Sequence, residues 1–140
     1  MPVKQRILFY CIGNACRSPM AEAICRHLGR EAVEVQSAGV APLGHISDNV
    51  YGALAALGIP SDGLSSKPLS AVSIGADTLV ISLAEDFPVK RVLGPAVGFE
   101  YEDWAVADPY GESPACYEGI ARYLLARIED LLKRRGIIAQ

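Results

Sequence analysis

The sequence predicts a three-layer α/β sandwich, in which helices cover both faces of a central parallel sheet of about four strands. Two features of the chain predict this fold. Apolar runs of strand length alternate with segments of helical periodicity, and a dozen or more residues separate successive strands, as parallel pairing requires. The length of 140 residues and the hydrophobic content of 51% fit one domain over residues 1–140 that buries its own core.

The first predicted strand is the apolar run ILFYC at residues 7–11, whose lack of polar alternation is typical of a strand buried on both faces. A helix should follow it, with Ser18 as its N-cap, Pro19 in its first position and Gly29 at its end. Residues 33–37 then form a short second strand.

The rest of the chain repeats this alternation. A helix is predicted over residues 47–57, a buried third strand over residues 78–83 and a fourth strand near residues 98–101. The last helix has the clearest pattern, because Ser113 is its N-cap, Pro114 begins it and apolar residues recur along one face. The predicted sandwich is flavodoxin-like, and such sheets bind ligands beyond the carboxyl ends of their strands.

Composition and charge exclude several classes of function. The net charge of −3 and the scattered lysines give no basic surface for nucleic acid. The longest apolar run near the start, residues 7–12, is too short for a signal peptide or a membrane span, so we expect a cytoplasmic protein with no membrane contact. The four cysteines should then remain thiols. The spacing of these cysteines from the two histidines fits no metal site, so no metal is expected. No cofactor is expected either.

The turn after the first strand, CIGNACRSP at residues 11–19, has the features of an anion-binding loop. It contains neither a dinucleotide-binding glycine pattern nor a Walker lysine. Gly13 and Asn14 tolerate left-handed backbone angles, which lets a short loop turn its N–H groups inward. The start of the next helix adds unpaired N–H donors, and Arg17 can grip two oxygens of a tetrahedral dianion. In that field the thiolate of Cys11 is stabilised and becomes a nucleophile at neutral pH.

A second C-x5-R spacing, from Cys116 to Arg122, does not indicate a second site. Those residues lie in the predicted last helix, where backbone N–H groups are already bonded and cannot face a ligand. The position of Cys11 at a strand–loop–helix junction distinguishes it from an ordinary buried strand cysteine. Cys25 and Cys116 are expected to be small core residues.

In this loop the sequence resembles the low-molecular-weight protein-tyrosine-phosphatase family, whose loop reads C-x-G-N-x-C-R-S-P-x-A-E. Residues 11–22 fill every fixed place of that pattern, and the resemblance continues through SAG at residues 37–39 to DPY at residues 108–110. The resemblance implies the same fold, a cysteinyl-phosphate mechanism and no metal.

The resemblance also implies roles for single residues. Cys11 is the nucleophile, Arg17 the phosphate clamp and Ser18 the hydroxyl that steadies the thiolate. Asn14 braces the loop, together with Ser37. The other loop residues expected to bind the substrate are Ile12, Gly13, Ala15 and Cys16.

Expelling an alkoxide or a phenoxide requires a proton donor, and a cysteine–arginine loop contains none. Asp108 precedes Pro109 in the loop before the last helix, where Asp-Pro by itself indicates only a turn. The resemblance implies that Asp108 is the general acid. Tyr110 is then placed to form a wall of the pocket and stack on an aromatic substrate, the alternative being a half-exposed loop tyrosine.

Three segments depart from the family pattern. Many members carry an aromatic residue where this chain has APLG at residues 41–44. They also carry a histidine where it has GLSSK at residues 63–67, and a Met-Asp pair where it has SLAED at residues 82–86. These departures bear on the substrate rather than on the reaction.

The sequence therefore predicts a phosphatase that hydrolyses phosphotyrosine-type aryl phosphates, on phosphorylated proteins or on small molecules. An arsenate reductase that uses an external thiol is one alternative, because the loop binds either oxyanion and residues 78–92 hold no cysteine for a relay within the chain. A phosphoarginine phosphatase is another, although those relatives resemble each other in having threonine where this chain has Ile12. The third is a non-enzymatic phosphate-binding module, against which the nucleophile beside Arg17 argues.

Cys16 follows Cys11 by five residues in the same curved loop. It is therefore positioned to trap a sulfenic acid on Cys11 as a disulfide, the alternative being a thiol that only packs the loop. If Cys16 forms this disulfide, the oxidation of Cys11 is reversible.

Overall fold

Four parallel strands form the centre of the computed structural model, which describes residues 4–95 and 98–140. The strands are β1 (Gln5–Cys11), β2 (Val33–Gly39), β3 (Thr78–Ser82) and β4 (Tyr101–Asp103). Their order in the sheet is β2-β1-β3-β4 and every pairing is parallel. The predicted α/β fold with a four-stranded parallel sheet is confirmed.

Helices and short turns connect the strands. The helices are α1 (Arg17–Gly29), α2 (Asp48–Ala56), α3 (Val89–Leu93) and α4 (Pro114–Arg134), and the 3-10 turns are Arg30–Ala32 and Leu69–Ala71. One face of the sheet shares its core with α1, α2 and α4. The opposite face packs against α3 and the loops beside it.

β1 lies inside the sheet because its residues 7–11 are apolar without interruption. Ile7 and Phe9 pack into the core on the side of α1 and α4, whereas Leu8 and Tyr10 pack into the core on the other face. The Tyr10 hydroxyl donates a 2.6 Å hydrogen bond to the carbonyl of Phe87, and burial raises the pKa of Tyr10 to about 12. A central strand with both faces covered is what the run ILFYC predicts.

The last helix begins as predicted. The Ser113 hydroxyl oxygen accepts a 3.3 Å hydrogen bond from the N–H of Cys116, and Pro114 occupies the first helical turn. The apolar face of α4 is buried at Tyr117, Ala121, Leu124, Ile128, Leu131 and Leu132. This face packs mainly against α1 and α2, which brings the start of α4 close to the loop after β1.

Three predicted positions are wrong. Ser18 is not the N-cap of α1 and Pro19 is not its first residue, because the helix already begins at Arg17 and Cys16 takes the cap position without a side-chain hydrogen bond. The fourth strand lies at Tyr101–Asp103 rather than near residues 98–101, because pairing with β3 places Tyr101 opposite Val80. The short helix α3 was not predicted, since five residues are too few to display a period.

The strand order creates a crevice beyond the carboxyl end of β1. From β1 the chain passes to β2 on one side of the sheet and then crosses to β3 on the other, so the connections diverge at this point. Cys11, the last residue of β1, lies opposite Gly39, the last residue of β2. The loop of residues 11–17 therefore occupies the crevice.

None of the helices within the described ranges combines the length and the apolar character that crossing a bilayer would need.

Candidate active site

A pocket of about 160 Å³ opens at the loop between β1 and α1. All of the predicted site residues except Asn14 and Ser18 line it, together with two residues from the connection after β2. The lining residues are Cys11, Ile12, Gly13, Ala15, Cys16, Arg17, Ala41, Leu43, Asp108 and Tyr110. The structure thus brings residues of the first loop together with Asp108 and Tyr110, which lie about 100 positions further along the chain.

The peptide groups of the loop have a common orientation. The carbonyls of Cys11, Ile12, Gly13 and Ala15 accept hydrogen bonds of 2.8–3.0 Å from N–H groups in the connection between β2 and α2. In a planar trans peptide the N–H points away from the carbonyl, so the N–H groups that follow these carbonyls face the opposite side. The loop therefore turns a set of donors toward the pocket, as an anion nest does.

Asn14 holds the loop in its left-handed turn. Its φ angle is 48°, a region that asparagine tolerates better than most residues. The amide nitrogen donates to the hydroxyls of Ser18, at 2.7 Å, and Ser37, at 3.0 Å. The amide oxygen accepts a 2.9 Å hydrogen bond from the N–H of Lys67. These contacts lie beneath the pocket, which is why Asn14 and Ser18 do not line it.

The Ser18 hydroxyl contacts the predicted nucleophile. Its oxygen lies 3.0 Å from the sulfur of Cys11 and 3.3 Å from the carbonyl oxygen of Ala38. The hydroxyl accepts from Asn14, and its single hydrogen can go to the carbonyl of Ala38 or to the sulfur, which as a thiolate can only accept. This is the contact that the resemblance assigned to Ser18, and it accounts for the absence of Ser18 from the helix cap.

The Arg17 side chain is fixed by backbone groups that precede and follow β4. One terminal nitrogen, Nη1, donates to the carbonyls of Leu83, at 3.1 Å, and Val106, at 2.9 Å. The other, Nη2, lies 3.5 Å from a carboxylate oxygen of Asp108. Across residues 4–95 and 98–140, no group pairs with the buried Nε. The Nε and Nη2 edge is therefore available for two oxygens of a tetrahedral anion.

Asp108 and Tyr110 form the far wall of the pocket. The carboxylate of Asp108 is about half exposed, and its other oxygen accepts a 3.1 Å hydrogen bond from the N–H of Tyr110. This turn holds the carboxyl beside Arg17 and at the pocket rim. Tyr110 is 55% exposed, and Leu43, across the mouth, is 46% exposed. Leu43 occupies the segment in which the sequence lacks the aromatic residue of many family members.

Cys16 faces away from solvent and toward α4. Its sulfur lies 3.3 Å from the hydroxyl of Tyr117, which in turn lies 2.9 Å from the hydroxyl of Ser47. Burial raises the pKa of the Cys16 thiol. Cys16 is therefore a protonated, weakly nucleophilic thiol at neutral pH, unlike a thiolate stabilised by the loop.

Sequence reasoning missed several partners of the loop. The Ser66 hydroxyl donates to the carbonyl of Gly13 at 3.0 Å, and Tyr117 and Ser47 enclose Cys16. Glu22 accepts a hydrogen bond from Ser37. Only Glu22 left a signal, because it fills the last fixed place of the loop pattern. The others come from distant segments that only the fold brings to the site.

Within the part of the chain that the structure describes, no three His, Cys, Asp or Glu side chains are grouped closely enough to hold a metal ion.

Gly39→Ala is expected to displace the loop without unfolding the protein. A Cβ at this position would lie 2.7 Å from the carbonyl oxygen of Ile12 and 2.9 Å from the nitrogen of Asn14, and both are backbone atoms. Because a shift of about 1 Å in a site is costly, we expect inhibition by inorganic phosphate to weaken by about tenfold or more. Gly52→Ala is the matched control, since an added Cβ there meets nothing within 4 Å. Equal phosphate inhibition in the two variants would contradict this description of the loop.

Mild peroxide is expected to inactivate the protein reversibly, because Cys16 lies in the same loop as Cys11 and, once its buried thiol leaves Tyr117 and ionises, can trap an oxidised Cys11 as a disulfide. Recovery on adding dithiothreitol is the measurement. Cys16→Ser should recover much less, since sulfenic acid on Cys11 then proceeds to irreversible products. Cys116→Ser serves as the control. Recovery of Cys16→Ser as complete as that of the wild type would exclude a resolving role for Cys16.

The comparison with protein families gives one match over nearly the whole chain. The model described as low molecular weight phosphotyrosine protein phosphatase matches residues 6–136. This range includes the loop of residues 11–17, Asp108 and the whole of α4.

Individual relatives carry different activities in their names. A solved low molecular weight protein tyrosine phosphatase from T. tengcongensis is 27% identical, with a TM-score of 0.80, and the match covers 94% of this chain and 99% of that one. A solved arginine phosphatase from Geobacillus stearothermophilus is 29% identical, with a TM-score of 0.78, and the match covers 94% and 93%. A glutaredoxin arsenate reductase from Synechocystis sp. is 26% identical over 133 residues, 93% of this chain and 98% of that protein.

Proposed function

Because the chain belongs to the low molecular weight phosphotyrosine protein phosphatase family, whose relatives include phosphatases and arsenate reductases, we propose that it hydrolyses phosphotyrosine-type aryl phosphates through a cysteinyl-phosphate intermediate. The proposed substrates are phosphorylated proteins or small aryl phosphates. One observation supports this proposal most: the half-exposed carboxyl of Asp108 shares a pocket with Cys11 and lies 3.5 Å from Arg17. A phosphatase needs a proton donor at that place, whereas phosphate binding alone does not.

In the first step, the sulfur of Cys11 attacks phosphorus. A sulfur–phosphorus bond forms as the bond from phosphorus to the phenolic oxygen breaks, and Asp108 donates its proton to the departing oxygen. The Nε and Nη2 edge of Arg17 and the inward N–H groups of the loop hold the other phosphoryl oxygens. The hydrogen bond from Ser18 stabilises the sulfur before the attack.

In the second step, water attacks the phosphocysteine. Asp108, now ionised, takes the proton from that water, and the sulfur–phosphorus bond breaks to release inorganic phosphate and the Cys11 thiolate. Ser18 again donates to the sulfur, which is now the leaving group. Asp108 and Ser18 therefore act in both steps.

The walls of the pocket favour an aromatic leaving group. Ile12, Leu43 and Ala41 give the lining an apolar character, and the exposed ring of Tyr110 stands at the rim. A phosphotyrosine ring can lie between Leu43 and Tyr110 with its phosphate on the loop. Ile12 offers no hydrogen-bond partner to the guanidinium of a phosphoarginine.

Asp108→Asn is expected to lower the single-turnover rate most for substrates with a strongly basic leaving group, because such a group departs only when it receives a proton. Phenyl phosphate, whose leaving group is strongly basic, should lose about 10²- to 10⁴-fold in its single-turnover rate, and a nitrophenyl phosphate much less. Glu112→Gln, in the same loop, is the control. An equal loss on both substrates would mean that Asp108 only shapes the loop.

Arsenate reduction with an external thiol is the second candidate, and the similarity to the glutaredoxin arsenate reductase favours it. Cys11 and Cys16 are the two cysteines in the pocket lining, whereas Cys25 is buried in the core and Cys116 lies on α4. A reductase of this architecture would therefore need glutathione or glutaredoxin to complete its cycle.

A side-by-side assay separates these functions. The purified protein is given a phosphotyrosine peptide, a phosphoarginine peptide, and arsenate with glutathione and glutaredoxin. The proposal predicts that phosphate release from the phosphotyrosine peptide has the highest kcat/KM. Faster release from the phosphoarginine peptide, or arsenite formation with little phosphate release, would overturn the proposed substrate class.

A further inference from the structure

The hydrogen bonds beneath the loop continue past Asn14 to the surface of α1. Ser37 donates to one carboxylate oxygen of Glu22, and the other oxygen of Glu22 pairs with the guanidinium of Arg26, one helical turn further on. Glu22 is 4% exposed, whereas the side chain of Arg26 is 46% exposed. A single series of polar contacts thus joins a surface arginine to the sulfur of Cys11.

The chemistry of its members fixes the direction of each hydrogen bond, and the bonds run outward from Asn14 in two branches, one to Glu22 and one to Cys11. A carboxylate can only accept, so the Ser37 hydroxyl gives its single hydrogen to Glu22 and must accept from Asn14. The N–H of Lys67 can only donate, so the amide oxygen of Asn14 faces it and both amide hydrogens point to the serines.

The last member of the series is Ser18. Its oxygen accepts from Asn14, and its single hydrogen lies within reach of the Cys11 sulfur, at 3.0 Å, and of the carbonyl oxygen of Ala38, at 3.3 Å. A thiolate sulfur can only accept, so it draws this hydrogen to itself. Glu22 acts on Ser18 through orientation: by accepting the Ser37 hydrogen it makes Ser37 an acceptor for Asn14, which holds the amide with its second hydrogen on Ser18. Asn14, Ser18 and Ser37 are all fully buried, which keeps water from replacing a missing partner.

We propose that Glu22 and Arg26 are positioning residues for the nucleophile: the carboxylate of Glu22, paired with Arg26, orients Ser37, Asn14 and Ser18 so that Ser18 donates to the Cys11 thiolate. Arg26 gives the buried carboxylate of Glu22 a charged partner and holds it in place, because a buried carboxylate without a partner is strongly disfavoured. The expected effect on turnover rests on the proposed function, whereas the expected effect on the reactivity of the Cys11 thiol does not.

The test compares five proteins: the wild type, Glu22→Gln, Arg26→Ala, Arg26→Lys and Arg122→Ala. Arg122→Ala is the matched control, because Arg122 forms the same i,i+4 ion pair with Glu118 on the exposed face of α4, away from the pocket. Arg26→Ala leaves the buried carboxylate of Glu22 without its charged partner, whereas Glu22→Gln keeps the shape of the side chain and removes its charge, so the two variants test the ion pair from both sides. The urea midpoint of each variant records its stability.

Two rates are measured near neutral pH. The first is the alkylation of Cys11 by iodoacetamide, followed on the peptide by mass spectrometry, which needs no substrate. The second is kcat on a nitrophenyl phosphate, with inhibition by inorganic phosphate as a measure of the loop itself. Phosphate inhibition should change little in every variant, because Lys67 still holds Asn14 and Arg17 has its own partners.

We expect Arg26→Ala and Glu22→Gln to lower both the alkylation rate and kcat by about tenfold, the effect of weakening one charge-assisted hydrogen bond. Arg26→Lys should restore most of both rates, and Arg122→Ala should leave them unchanged. Wild-type alkylation of Arg26→Ala would overturn the inference, as would a parallel loss of phosphate inhibition, which would mean that the loop had collapsed. If the wild type hydrolyses no aryl phosphate while the alkylation rates follow this order, the proposed function fails and the inference about the thiol stands.

Discussion

Cys11→Ser is expected to abolish turnover of aryl phosphates, with a loss of about 10⁴-fold or more in kcat. A serine hydroxyl is not ionised at neutral pH, and the donors that stabilise a thiolate cannot make it an effective nucleophile. The side chains are nearly the same size, and Ser18 remains a hydrogen-bond partner for either atom. The loop should therefore still bind inorganic phosphate, which calorimetry can measure.

Cys25→Ser and Cys116→Ser are the controls for this loss. Burial raises the pKa of Cys25 to about 12, so its thiol is inert at neutral pH, and Cys116 lies on α4 outside the pocket lining. Both variants should retain the chemistry, although Cys25→Ser places a hydroxyl in the core and should be less stable. Appreciable turnover by Cys11→Ser would remove Cys11 from the mechanism.

Arg17→Lys is expected to lower kcat by about 10³-fold. Arg17 uses one terminal nitrogen to hold the carbonyls of Leu83 and Val106, which leaves a planar pair of donors for the phosphoryl group. A lysine ammonium is a single point charge and cannot hold both carbonyls while gripping two oxygens. The ammonium would also not reproduce the 3.5 Å distance between Nη2 of Arg17 and the carboxylate of Asp108. Single-turnover rates on a nitrophenyl phosphate measure this loss.

The control for Arg17→Lys is Arg122→Lys, which makes the same exchange at an exposed position of α4. It should leave the rate unchanged. A loss below about tenfold in Arg17→Lys would mean that the guanidinium contributes charge but not its two-donor geometry. In that case the proposed grip on the phosphoryl oxygens would be wrong.

The parts of the fold that the sequence predicted are those governed by local rules. β1 contains a run of five apolar residues, α4 has both its N-cap and its apolar face in its own sequence, and the loop between β1 and α1 is a contiguous motif. In each case the residues that set the structure are neighbours in the chain. The positions of Cys11 and Arg17 on the pocket follow from that locality.

The remaining features depend on contacts between distant segments. Ser18 looked like a helix cap because its residue type is common there, but the fold brings Asn14 and Cys11 within reach of its hydroxyl. The carbonyls of Leu83 and Val106, which fix Arg17, carry no sequence signal at all, since every residue has a carbonyl. The start of β4 at Tyr101 was likewise set by its neighbour β3 rather than by its own sequence.

Trapping the covalent intermediate tests the central claim most directly. Asp108→Asn is mixed with a nitrophenyl phosphate, quenched in alkaline denaturant within the first turnover and digested at mildly alkaline pH, where a sulfur–phosphorus bond survives, and the peptides are weighed by mass spectrometry. This variant should form the intermediate from a good leaving group but hydrolyse it slowly, because the base for the second step is missing. The account predicts one phosphoryl group on the peptide that contains Cys11, and none when Cys11 is replaced by serine. Nitrophenol release without any phosphorylated Cys11, or a phosphoryl group on a different residue, would contradict it.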